Sequence, residues 1–163
     1  MSNITVRPAR LEEIDLLLEF EQGIVKTERP FDPTLKKGEI HYYDLKQLIE
    51  LPTAEVVVAE VDNEVAGSGY ALLKEAKDYL DHEIYAYLGF MYVKPEFRGM
   101  GINKAVLDYL RQWAARQNVS EIRLEVYDDN LIAKRAYEKA GFKGHLLEMR
   151  LPTGAESDPD TPS

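Results

Sequence analysis

Two short stretches of this chain carry residues whose types and spacing suit chemistry. The first is Val93-Lys94-Pro95-Glu96-Phe97-Arg98-Gly99-Met100-Gly101-Ile102-Asn103-Lys104, where an apolar, aromatic run ends at a proline, crosses two glycines and opens a segment of helical period. Glycines at such a junction let several backbone N–H groups close on an anion, and the following helix N-terminus adds positive potential. That is an architecture for phosphate. It is not a nucleotide P-loop, because Gly101 is followed by Ile102-Asn103-Lys104 where Lys-Ser/Thr is needed. Nor is it the dinucleotide fingerprint, since Lys104 stands at the place of the third glycine. A plain strand-to-helix turn would use the same two glycines.

The second stretch runs from Asp128 to Phe142, and its Asn130, Ala133 and Tyr137 are three and four residues apart. That spacing puts an amide, a gap and a phenol on one helix face. Such a face lets an elongated ligand lie close to the backbone. The same residues also fit an N-cap at Asn130 and a core aromatic at Tyr137.

Both stretches need strands and helices to aim them. Residues 4–7 form a short strand stopped by Pro8, and residues 11–26 form a helix with Leu11, Ile14, Leu17, Leu18 and Val25 at helical spacing. A loop with Pro30, Pro33 and Gly38 leads to a helix over about 40–51, ended by Pro52. Strands follow at 54–61, 65–73 and, richest in aromatics, 83–93. Residues 101–118 read as a helix with Ile102, Val106, Leu110 and Trp113 on one face. In 120–127, Ile122, Leu124 and Val126 alternate with Arg123, Glu125 and Tyr127, as a strand requires. A helix over 130–140 ends at Gly141, residues 142–151 make a last strand region, and the Pro-, Asp- and Ser-containing segment 152–163 is expected to be disordered. Residues 1–151 therefore read as one domain.

Composition narrows the chemistry. The 163 residues suffice for a full core, and no apolar run reaches membrane-spanning length. Cysteine is absent, which removes disulfides, thiolate metal sites and a cysteine acyl-enzyme. A net charge of −9 argues against nucleic acid as partner and suits a cationic small substrate. The first residues contain no apolar leader, so a cytoplasmic location is expected, with no membrane association. His41, His82 and His145 lack metal-ligand spacing, so no metal is expected.

Taken together, Val93-x-Pro95-x-x-Arg98-Gly99-x-Gly101 and Asn130-x-x-Ala133-x-x-x-Tyr137-x-x-x-Gly141-Phe142 resemble the GNAT acyltransferases over about residues 3–150. The resemblance implies an α/β (α+β) fold: a mixed, twisted sheet of about six to seven strands, flanked by about four helices. Its two splayed central strands would be 83–93 and 120–127. It implies acetyl-CoA as co-substrate and a primary amine of a small molecule or peptide as acceptor, attacked directly in a ternary complex. A homodimer is a further expectation from the family. Arg98, Gly99, Met100, Gly101, Asn103 and Lys104 would hold the pyrophosphate, mostly through backbone N–H groups. The backbones of Met91 and Val93 would bind the pantetheine arm, helped by a bulge at Gly89. Asn130 and Ala133 would border that arm, and Tyr137 would protonate the departing thiolate. Asn103 departs from the pattern, which has a small residue at its position.

The family often carries an acid near the positions of Gly89 and Phe90, and this chain has none there. Glu125, twelve residues before Tyr137, is the substitute for a general base, with Glu83 behind it. Glu125 would equally serve as a surface ladder residue paired with Arg123. Ser68, in Ala66-Gly67-Ser68-Gly69, lacks the first glycine of a nucleophile elbow. By the resemblance, the acceptor site would be walled by 27–44 and 77–82, with Arg29, Tyr42, Tyr43 and Tyr79 as contacts, although loop tyrosines are commonly plain surface. A non-catalytic acyl-CoA sensor or interaction module is the competing function.

Overall fold

The computed structural model describes residues 3–155. Five strands form one sheet in chain order: β1 (Ile4–Pro8), β2 (Ala54–Val61), β3 (Glu64–Glu75), β4 (Ile84–Val93) and β5 (Ile122–Arg123). All neighbours are antiparallel except β4 and β5, which are parallel. The helices are α1 (Ile14–Glu28), α2 (Leu45–Glu50), α3 (Ile102–Arg116) and α4 (Leu131–Lys139).

The near-continuous apolar run of β2 is explained by cover on both faces. Val57 and Ala59 point to one side, where the apolar stripe of α3 (Ile102, Val106, Leu110 and Trp113) buries them. Val56 and Val58 point to the other, against Leu17, Phe20 and Ile24 of α1 and Leu45 of α2. The core is thus two clusters separated by the sheet, and both helices that flank the site are fixed by it.

Several elements differ from expectation, each for a local reason. The second helix starts at Leu45 because the N–H groups of Tyr42 and Tyr43 are held by the fully buried Glu21 carboxylate at 2.8 and 2.9 Å. Asp44 then caps the helix through the Gln47 N–H. Only Ile122 and Arg123 of the expected 120–127 strand pair with β4. Residues 142–151 form no strand among the described residues, and Leu146, Leu147, Met149 and Leu151 are exposed. The sheet therefore has five strands where six to seven were expected. Residues 156–163 of the expected tail lie outside the described residues.

The strand irregularity in β4 also falls elsewhere than expected. Ser68 pairs with Tyr92 and Tyr70 with Gly89, so Phe90 and Met91 together oppose Gly69. Phe90 takes a φ of 57° while fully buried, an expensive conformation for an aromatic residue. The buried Ser68 hydroxyl donates to its carbonyl at 2.9 Å and secures the bulge. Gly89 itself has ordinary extended backbone. It is glycine because a Cβ there would sit 2.6 Å from the Tyr70 ring.

Candidate active site

The parallel pairing of β4 and β5 covers only Ala86 with Ile122 and Tyr87 with Arg123. Beyond these the two backbones part, leaving residues 88–93 without a strand neighbour on that side among the described residues. The bulge at Phe90 lies within this free edge. An unpaired edge presents N–H and C=O groups to any extended ligand.

At the end of β4, a 3₁₀ turn (Pro95–Phe97) leads into the glycine loop. Gly99 and Gly101 adopt φ of 80° and 84°. A Cβ at either would meet nothing within 4 Å, so backbone conformation rather than space demands glycine. Gly101 occupies the N-cap of α3 and offers no side-chain acceptor. The first N–H groups of a 15-residue helix thus remain uncapped, at the positive end of its dipole. Lys104 is directed along the helix to Asp108 at 2.7 Å, so the loop's anion-binding capacity resides chiefly in its backbone.

Loop, free edge and α4 surround one cavity of about 370 Å³. Of the residues expected to bind cofactor, Met91, Val93, Arg98, Gly99, Gly101, Asn103, Lys104, Asn130 and Ala133 line it. Met100 points outward, 39% exposed, and does not. Tyr137 and Glu125 also line it. Tyr137 packs edge-on against Phe142, with ring centroids 5.7 Å apart. Burial, with a smaller contribution from the Glu28 charge, raises its pKa, so it stays protonated and able to donate at neutral pH. Asn130 acts as N-cap of α4, its Oδ1 accepting the Ala133 N–H at 3.2 Å. The capping role and the cavity-lining position coexist in one residue.

Glu125 is exposed and makes no hydrogen bond or ion pair among the described residues. The ladder alternative does not form, because Arg123 bonds Glu121 and His82 and stacks on the Tyr85 ring. Glu83 precedes β4 on the surface and is not in the cavity. The four residues expected to contact the acceptor do not line it either. Arg29 donates to the carbonyls of Lys36 and Gly38 and clasps its own loop. Tyr43 is wedged against Tyr70 and Phe90, and Tyr79 is 77% exposed. Tyr42 is half-buried and lies outside this cavity's lining.

Glu28 and Tyr127 also line the cavity; sequence reasoning held them only within the expected acceptor wall 27–44 and the expected strand 120–127 and singled out neither. Tyr127 stacks on Phe31 and donates to Asp32 at 3.0 Å. The one available signal for Glu28 was its place before Arg29-Pro30, where a proline stops a helix and leaves the last turn facing inward. No group of three or more His, Asp or Glu able to hold a metal occurs among the described residues.

Comparison with known proteins agrees with this geometry. The model of the acetyltransferase (GNAT) family matches residues 22–142. A predicted acetyltransferase from Clostridium acetobutylicum, solved with acetyl-CoA, superposes with a TM-score of 0.71 at 19% identity, covering 92% of this chain and 96% of that one. A variant of the BH1408 protein from Bacillus halodurans gives 0.82 at 16% identity, covering 91% and 98%. An aminoglycoside N-acetyltransferase in complex with CoA gives 0.71 at 18% identity, covering 95% and 97%.

Proposed function

The chain belongs to the acetyltransferase (GNAT) family, and from that premise we propose that it moves the acetyl group of acetyl-CoA directly to a primary amine of a small molecule or peptide. The observation that carries this reading is the mixed lining of this cavity. It brings together the uncapped helix N-terminus with Arg98 and the glycine loop, the free edge of β4, and Glu28, Glu125 and the phenol of Tyr137.

Each part supplies a step. The N–H groups of the loop and of α3 neutralise a pyrophosphate. The backbone of Met91 and Val93 receives the pantetheine amides as an added strand. The thioester then lies beside Tyr137, whose hydroxyl protonates the departing sulfur. Two structures it resembles hold acetyl-CoA or CoA, and this supports the donor. Asn103 faces the same loop and is exposed, so its larger side chain is accommodated without closing the cavity.

The test is a free-thiol release assay with acetyl-CoA. Its panel comprises aliphatic and aromatic monoamines, polyamines, aminoglycosides and peptides with a free N-terminus, with calorimetry of CoA binding in parallel. Amine-dependent thiol release is the expected result. Tight CoA binding without release for any amine would identify a non-catalytic acyl-CoA-binding module instead.

A further inference from the structure

We propose that Glu28, the last residue of α1, receives the acceptor's ammonium group in this cavity and takes its proton. The proposal rests on the acetyl-transfer reading and deepens it.

Between Glu21 and Asp32, the stretch of α1 and its following turn nearest the cavity, there are three acids, and only Glu28 makes no ion pair among the described residues. Glu21 is fully buried and accepts from the N–H groups of Tyr42 and Tyr43 and from His41. Asp32 accepts from the Thr34 N–H and hydroxyl and from Tyr127. Glu28 has no ion pair among the described residues, is half-buried, and lines the cavity with Met91, Tyr127 and Tyr137. Its neighbour Arg29, the nearest cation in sequence, is turned away to Lys36 and Gly38.

The surroundings fit a proton acceptor for a cation. The groups facing Glu28 are Asp32 from the following turn, Tyr42 and Tyr43 from the loop, Tyr87 from β4, Tyr127 after β5, and Tyr137 from α4. None is cationic. Burial raises the Glu28 pKa above the usual carboxylate value, partly offset by the Tyr42 hydroxyl, with Asp32 adding to the rise. A half-buried acid of raised pKa that lines the cavity is suited to act as a base near neutrality. Among the carboxylates, Glu28 is also the one whose charge reaches the Tyr137 phenol.

The step balances. The ammonium N–H bond breaks, its electron pair stays on nitrogen, and the proton goes to Glu28 and then to water. Nitrogen attacks the thioester carbon, the C–S bond breaks, and sulfur takes the Tyr137 proton. The second proton lost from nitrogen replaces it. Ammonium and acetyl-CoA thus give amide and CoA thiol, with one proton released.

The experiment compares wild type, Glu28→Gln and Glu125→Gln across pH 6–9, using the amine turned over fastest in the panel and CoA calorimetry on each protein. At pH 7, Glu28→Gln is expected to lose about 10²–10⁴-fold in kcat/KM with CoA affinity unchanged. Its rate should climb roughly tenfold per pH unit toward the amine's own pKa, because only amine already neutral can react. Glu125→Gln should lose less in kcat/KM than Glu28→Gln and should not acquire that slope. A Glu28→Gln protein with wild-type rate and profile, or a loss confined to Glu125→Gln, overturns the assignment of Glu28 alone. A wild type that turns over no amine overturns it together with the acetyl-transfer reading.

Discussion

Gly101→Ala isolates the conformational demand of the glycine loop. At φ of 84°, an alanine would carry its Cβ in the left-handed region, yet nothing lies within 4 Å of that Cβ. Steric collision is therefore removed from the problem, and what remains is backbone strain of about 1–2 kcal/mol. This strain has two outlets. If the loop keeps its shape, the folded protein carries the strain, and at about 2–4 °C per kcal/mol for a domain of this size Tm falls by about 2–8 °C. If the loop relaxes to negative φ, the N–H groups at the start of α3 swing off their common focus. CoA affinity then falls by about 5- to 30-fold, the same energy at 1.4 kcal/mol per tenfold.

Calorimetric titration with CoA and thermal denaturation together read both outlets. Gly38→Ala is the control, since Gly38 has a φ of 81° and equally open surroundings but does not line the cavity. It should lower Tm and leave CoA affinity alone. A Gly101→Ala protein with wild-type Tm and wild-type affinity would refute the argument that conformation is what reserves this position for glycine.

Three further perturbations probe other links. Tyr137→Phe keeps the ring packed on Phe142 and should lower kcat by about 10²-fold or more with CoA affinity intact. An unchanged kcat removes the phenol from the proton-donor role. Ser68→Ala withdraws the hydroxyl that holds the Phe90 carbonyl and should cost about 1–3 kcal/mol, read as a lower denaturant midpoint at constant m. No shift in midpoint would mean the bulge holds without it. Glu13 is held below its ordinary pKa of 4.5 chiefly by the hydrogen bond from Arg7, which also bonds Glu60. A depressed carboxylate pKa stabilises fully above the unfolded value and loses that contribution as pH falls through the folded one. Glu13→Gln should therefore flatten the part of the acid unfolding curve below about pH 4.5, and an unaltered acid limb would sink the linkage.

Local chemistry was legible and tertiary placement was not. Gly99, Gly101, Asn130 and Tyr137 could be found because each obeys a local rule: positive φ at a junction, an amide at a helix start, a phenol one face further on. Gly89 shows where such rules mislead. A glycine inside a strand signals either a bulge or a close approach, and here the close approach of Tyr70 uses the glycine while the bulge falls on Phe90. Nothing about a phenylalanine announces positive φ; its stability depends on Ser68, twenty-two residues away in sequence. The residues expected to contact the acceptor do not line the cavity for a related reason. Arg29 and Tyr43 have the right chemistry, but contacts beyond sequence range engage them in shaping the loop and the core. Glu28 was invisible for the converse reason, since a glutamate at a helix end is ordinary until the opposite wall of its cavity is known. What distinguishes it from Glu125 is that it is half-buried in the cavity wall without an ion pair, and that is a property of the assembled fold alone.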